Sequence, residues 1–242
     1  YKQRVEGAVP FWRSRLSGIA NPSRIRPTGP NPPAQSAPSD MAHVERRFTE
    51  EETERINAFA QAAGVTLNTL FQTAWAVVLS RHSGEESVVF GTTRAGRHWD
   101  RNPATRGRPG LFICTVPFPV VVGKDRPLKE LLYDVRQQQI DIRPYEHVPL
   151  PHIAECASLS AGDLLSSILV FENFDVEAAF GTLGGPWAER DVSVHEKPDT
   201  MTLGVYAGRR IRMSLDFPEP AYAEAQMADV MNQIHTVLLD GV

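Results

Sequence analysis

Two stretches of this chain carry side chains whose types and spacing suit chemistry. The first is His195-Glu196-Lys197-Pro198-Asp199. A histidine four residues ahead of an aspartate is the spacing with which some acyltransferases place a base beside a structural carboxylate. An imidazole titrating near pH 6.5 can take a proton from an attacking amine or alcohol. A two-residue pattern with Pro198 inside it is equally met by a solvated loop leading into the next strand, and both readings stay open at this point. The second stretch is Gly91-Thr92-Thr93-Arg94-Ala95-Gly96-Arg97-His98-Trp99, where a strand runs out into a loop. Loops at strand ends often carry function. A guanidinium at Arg94 or Arg97 can hold a phosphate in a bidentate way. Ordinary surface arginines are the alternative.

Other chemistries find no foothold in the sequence. The seven histidines form no HExxH pair, and there is no P-loop, no G-x-S-x-G elbow and no G-x-G-x-x-G after a strand. Cys114 and Cys156 are the two cysteines and lie in apolar surroundings, which reads as two buried free thiols and a reducing, cytoplasmic setting. The formal net charge of −4 argues against a nucleic-acid partner, which needs clustered Lys and Arg to displace counterions. No apolar run approaches the roughly 20 residues needed to span a bilayer, so no membrane partner is expected. The N-terminus has no signal-peptide core and no initiator Met, so the chain is expected to begin inside something longer.

The elements that must position these groups follow from periodicity. Residues 8–17 read as a short helix, and the Pro-, Ser- and Asn-rich residues 21–39 as an extended surface connection. Residues 41–48 suit a short strand. Thr49 and Glu52 have capping-box spacing, with Ile56, Phe59, Ala60 and Ala63 inward and Gly64 closing the helix. Leu67, Leu70, Phe71, Ala74, Trp75 and Val78 form one apolar face of a second helix, which makes Trp75 a core residue. VVFGTT and LFICTVPFPVVV read as strands. Pro117 and Pro119 remove ladder donors, so the latter must be an edge strand or be broken by a bulge. A helix over 127–142, a short helix near 149–156 and the strand SSILVFEN follow. Two or three strands lie between 190 and 216, with a hairpin turn at AGRR. A helix from about 220 to 239 ends the chain. Helices and strands are mixed with too few simple alternations for a doubly wound fold. The expected class is α/β, a mixed sheet covered by helices.

Several segments, taken in order, resemble a known family. FWRSRLSG resembles the "YW-x-x-x-L-x-G" helix that opens the second half of nonribosomal peptide synthetase condensation domains. GVTLNTLFQTAWAVVLSRHSGEESVVFGTTRAGR resembles their "GVT-x-N-T-x-x-Q-x-A-W-A-x-x-L" helix, "D-V-V-F-G" strand and "G-x-x-x-x-G-R" turn. GLFICTVPFPVVV resembles "G-L-F-I-N-T-x-P-x-R-V", RPYEHVPLPHI resembles "Y-E-H-x-P-L-x-x-I", and SSILVFENF resembles "L-F-D-S-L-V-V-F-E-N-Y". The match runs from about residue 8 to residue 240.

The resemblance implies a chloramphenicol acetyltransferase-like lobe, one half of a two-lobed domain. Residues 1–242 would be the C-terminal lobe, with 1–42 its opening helix and Pro-rich connection and 43–242 its α/β body. The family's catalytic His-His-x-x-x-Asp-Gly lies in the other lobe, and this sequence contains no His-His, so no catalytic residue is assigned here. The implied partners are that N-terminal lobe and peptidyl or acyl carrier proteins, whose phosphopantetheine arms enter a tunnel between the lobes; no cofactor is bound by the chain itself. The implied tunnel floor is Arg94, Gly96, Arg97, His98 and Trp99. The implied wall is Phe112, Cys114, Thr115, Glu172 and Asn173. A latch onto the other lobe would fall at 182–194. Four places depart from the pattern. Cys114 stands for the Asn of "F-I-N-T", PFPV lacks the usual Arg, Asp163-Leu164-Leu165-Ser166 replaces Pro-Leu-Phe, and ATRGRPG replaces "E-x-M-V/I-G". A noncatalytic carrier-protein docking module of the same fold, or an independent acyltransferase using His195 and Asp199, are the alternatives.

Overall fold

The computed structural model of the chain describes residues 2–29, 41–95, 112–157, 159–172 and 200–241. The helices are α1 (Lys2–Leu16), α2 (Glu50–Ala63), α3 (Leu67–Ser83), α4 (Leu128–Ile142), α5 (Leu150–Ala154), α6 (Ala161–Leu164) and α7 (Glu224–Asp240), with a 3₁₀ turn at Arg143–Tyr145. The strands are β1 (Met41–Arg47), β2 (Ser87–Arg94), β3 (Cys114–Val121), β4 (Ser167–Glu172), β5 (Met201–Tyr206) and β6 (Arg212–Pro218). They form one sheet in the order β1-β6-β5-β4-β2-β3. β4 is parallel to both of its neighbours, and the remaining pairs are antiparallel. The expected mixed sheet is therefore observed.

Local chemistry places most element ends where the sequence puts them. The Thr49 hydroxyl accepts from the Glu52 N–H, the Glu52 carboxylate accepts from the Thr49 N–H, and Gly64 ends α2 in the left-handed region at φ 65°. α3 is buried around nearly its whole circumference, from Thr69 to Ala76, and not only along the predicted stripe. It lies between the sheet and the helices α2, α4 and α7. Trp75 is fully buried and donates its indole N–H to Ser167 Oγ at 3.3 Å. Among the described residues no single helix is long and apolar enough to cross a bilayer.

Strand β3 is an edge strand with an unbroken register against β2, so of the two readings of Pro117 and Pro119 the edge applies and the bulge does not. Val89, opposite Pro119, sends its N–H to Ser23 Oγ at 2.8 Å, on its other side. Opposed residues in an antiparallel ladder either exchange both hydrogen bonds or neither. Pro119 nitrogen therefore faces away from β2, where the missing donor breaks no ladder bond. Its carbonyl faces the same way and accepts from the buried Gln138 side chain on α4.

Some boundaries differ from expectation. α1 begins at Lys2 rather than near residue 8 and runs through Pro10. Val5, Ala8, Trp12 and Leu16 are buried along one side, and tertiary burial of that stripe outweighs the backbone hydrogen bond that Pro10 removes. α6 was not foreseen. It is a single turn capped by Ser160, whose hydroxyl accepts from the Asp163 N–H at 3.1 Å. The closing helix starts at Glu224 rather than near residue 220. Both cysteines are free, but each is only partly buried. Cys114 opens an edge strand and Cys156 sits in the turn after α5. Residues 30–40, the 190–199 part of the expected late strands and the 182–194 segment lie outside the described residues.

Candidate functional site

The pleat decides which candidate residues meet. Phe171 packs near Phe71 of α3, with centroids 6.2 Å apart, and Ser167 meets Trp75 of the same helix. Successive strand residues point to opposite faces, so Glu172 projects to the face turned away from α3. Its neighbour on β5 is Tyr206, on the same face. On β2, a methyl added at Gly91 would meet Thr115 Cγ2, Ile168 Cγ1 and Leu165 Cδ2, each at 3.0 Å. Thr115 thus shares the Glu172 face, and Gly91 is the residue that lets it approach.

Arg94 and Cys114 face the other way. They are directly opposed across β2 and β3. Arg94 Nε donates to Glu146 Oε2 at 2.9 Å and Arg94 Nη2 to the Gln139 carbonyl at 3.1 Å. The Cys114 thiol lies 3.4 Å from the Glu146 carbonyl and donates to it. Burial pushes the Cys114 thiol pKa up; the Glu146 carboxylate adds to this and Arg94 opposes it. This thiol is therefore a poor nucleophile at neutral pH. Burial likewise raises Cys156, with Arg13 opposing and Glu155 reinforcing.

The Arg94 side chain is thus committed to Glu146, rather than presented to a phosphate or lying on the surface. Sequence reasoning had not singled out Glu146 as a functional residue, although it stands in the YEH segment. A polar chain, buried at Gln72 and Thr92, reinforces the same corner. Gln139 Nε2 donates to Gln72 Oε1 at 2.6 Å, and Gln72 Nε2 donates to Thr92 Oγ1 at 2.8 Å. The α3, α4 and β2 ends are thereby tied together beside the point where the candidate loop leaves. The opening helix is tied to it as well, since Phe11 stacks on Tyr145 at 4.1 Å between centroids.

Phe112 lies just ahead of β3 and is partly buried. Gly96, Arg97, His98, Trp99 and Asn173 lie outside the described residues, as do His195 and Asp199. Of the places where the sequence departs from the pattern, Asp163 has a visible use. It forms an ion pair with Arg24 at 2.7 Å, and Ser166 donates to the Ser23 carbonyl at 3.0 Å, so both hold the connection that follows α1. Among the described residues no group of three or more His, Cys, Asp or Glu is placed to hold a metal ion.

A mixed six-stranded sheet flanked by helices matches the chloramphenicol acetyltransferase-like fold of condensation domains. It superposes on the four-domain nonribosomal peptide synthetase AB3403 with a TM-score of 0.79 at 16% identity, covering 96% of this chain and 19% of that one. On the X-domain from teicoplanin biosynthesis the TM-score is 0.77 at 18% identity, covering 98% of this chain and 54% of the other. In sequence, the condensation-domain family model matches residues 1–241. The chain belongs to the condensation-domain family, of the nonribosomal peptide synthetase kind. It is 33% identical over 249 residues to one of the linear gramicidin synthase proteins of Brevibacillus parabrevis, covering 98% of this chain and 5% of that protein. With bacitracin synthase 3 of Bacillus licheniformis it shares 28% identity over 242 residues, 98% of this chain and 4% of the relative. The chain therefore spans a small part of the length of the curated relatives it matches.

Proposed function

We propose that this chain is the C-terminal lobe of a nonribosomal peptide synthetase condensation domain. It would help form the tunnel in which a carrier-bound aminoacyl amine attacks a carrier-bound acyl thioester to make an amide. One observation carries the reading. The chain, matched over nearly its full length, covers only about half of several solved relatives, such as 54% of the X-domain chain and 56% of the epimerization domain from tyrocidine synthetase B. The absence of any His-His from the sequence agrees with it. The catalytic motif would then come from the N-terminal lobe, and phosphopantetheine would arrive on carrier proteins. Two free thiols fit work in the cytoplasm.

In this reading Phe112, Thr115, Glu172 and Asn173 are the residues assigned to the tunnel wall. The floor is Arg94, Gly96, Arg97, His98 and Trp99. Arg94 would be the anchored root of that floor, held by Glu146, and Cys114, bonded to the Glu146 carbonyl, would lie on the opposite sheet face from the wall residues. The test is reconstitution. The chain alone, offered loaded donor and acceptor carriers, should make no amide. Addition of a separately produced N-terminal lobe bearing His-His-x-x-x-Asp-Gly should restore amide formation. Amide formation by the chain alone would overturn the proposal, and loss of that activity in His195→Ala would favour an independent acyltransferase.

A second reading, a noncatalytic carrier-protein docking module, draws on Cys114 and on the PFPV run, where the family pattern has Asn and Arg. Carrier binding that persists while the reconstituted pair makes no amide would favour it.

A further inference from the structure

A groove of about 520 Å³ runs between the C-terminal part of α2 and the first half of α4. Both helices pack on α3, so the groove lies on the side of the sheet opposite Thr115 and Glu172. Its floor is apolar. Leu132 is buried there, with Phe59 and Val65 partly buried beside it. Tyr133 stands on one side and is 61% exposed, and the exposed Ala62 stands on the other. A large exposed ring that continues an apolar floor marks an interaction surface, which a lone exposed apolar residue does not.

The charges at this groove have one sign. Lys129 and Arg136 line it, and no carboxylate does. Among the described residues neither cation is in an ion pair. Two other grooves differ. One holds Asp134 and Asp141, which are taken up by Arg126 and Arg15, and the other is lined by Glu85, Glu86 and Asp240. Lys129 and Arg136 are seven residues apart on one helix, so they share a face and are separated by about 10.5 Å along its axis. A single anionic head group spans too little to meet both. Two carboxylates two turns apart on a second helix have the matching spacing, and an apolar face between them matches the floor.

We propose that the α2–α4 groove docks an amphipathic helix of a partner polypeptide, whose apolar side chains enter between the helices and whose two carboxylates meet Lys129 and Arg136. The inference is separate from the lobe reading above, because this surface faces away from the residues assigned to the tunnel wall.

The experiment measures fluorescence anisotropy with the full chain and three labelled peptides of about 18 residues, long enough to populate a helix. Each peptide carries Leu along one face. The two positions that flank this face, two turns apart, hold Glu in the first peptide, Gln in the second and Lys in the third. The wild-type chain should bind the Glu peptide about fivefold more tightly than the Gln peptide, the size expected for two exposed ion pairs. Added salt should shrink that preference. The double substitution Lys129→Glu and Arg136→Glu should reverse the order, so that the Lys peptide binds best. Ala62→Glu, at an exposed helix position, should weaken all three by obstructing the apolar wall. Equal affinity of the wild-type chain for the Glu and Gln peptides, or no binding of either, would overturn the proposal. So would an unchanged order of preference in the folded charge-reversed variant. A dimer in sedimentation that Ala62→Glu dissociates would give the groove to a second copy of this chain. Decanoate binding that Ala62→Glu removes, with no peptide bound, would give it to a small amphiphile. Either result also overturns the proposal.

Discussion

Arg94 and Glu146, 52 residues apart in the chain, meet at 2.9 Å with side chains only 9% and 0% exposed. This buried ion pair joins the last residue of β2 to the YEH segment that follows α4. It fixes the point from which the candidate floor loop departs. A buried pair is weak evidence for net stabilisation, because desolvation offsets attraction, but removal of one partner leaves a charge without compensation. Glu146→Gln should therefore destabilise the chain by about 3 kcal/mol. Arg94→Met should also destabilise it, and the double substitution should fall well short of the sum. Urea unfolding of the four proteins checks this. Additive effects would mean that the pair does not act as a unit.

The two thiols should react slowly in the native chain. Burial raises the pKa of both Cys114 and Cys156, and the thiolate is the reacting species. Alkylation at pH 7.5 should be slower for the native than for the urea-unfolded chain, and should accelerate as the pH is raised. Mass spectrometry after timed quenching gives the rate at each cysteine. A native rate at Cys114 equal to the unfolded rate would contradict the burial of its thiol.

Gly91 tests the closeness of β2, β3 and β4. A methyl there would meet three side chains from three elements, each at 3.0 Å. Gly91→Ala should cost about 1–3 kcal/mol by overpacking, visible as a lowered urea midpoint with unchanged slope. Because Thr115 is one of the three, the substitution should also disturb the face that carries Glu172.

Acid should weaken the start of α2. The Glu52 carboxylate is held below its ordinary pKa range, first by the Thr49 backbone N–H, with His235 contributing against the opposing effect of burial. A carboxyl group whose pKa is depressed in the folded state contributes stability above its unfolded value, about 4.3, and loses it as the pH falls through the lower folded value. The stability difference between wild type and Glu52→Gln should thus be present at pH 7 and close progressively below about pH 4.3. A difference that stayed constant to pH 2 would remove the capping carboxylate as its source.

Features that depend on near neighbours in sequence were legible. The capping box at Thr49 and Glu52 acts over three residues, Gly64 ends a helix by its own φ, and the prolines of β3 forbid a central strand through their missing N–H groups. Trp75 was assigned to the core from helical spacing alone. Residues 2–7 of α1 and all of α6 were missed: the former lie ahead of Pro10, which reads as a helix start, and the latter is one turn whose Asp163 is held by Arg24 from a distant segment. Among the site residues, Thr115 and Glu172 were named together and do share a face. Cys114 was named with them and points to the other face, one step along the pleat.

The residues alone determined the fold class, the series of family motifs and the absence of a His-His pair, since these are properties of types and spacing. The faces and the neighbours were decided only by the tertiary structure. Glu146 reaches Arg94 because β2 and β3 pair in one register and α4 delivers the YEH turn to their end. Glu172, Tyr206, Arg212 and Arg47 share a rung because the sheet runs β1-β6-β5-β4, an order that no local pattern encodes. A one-residue slip in any of these pairings would move each of these side chains to the opposite face. The ion pair at the loop root and the rung beside Glu172 are therefore products of register, which long-range packing sets.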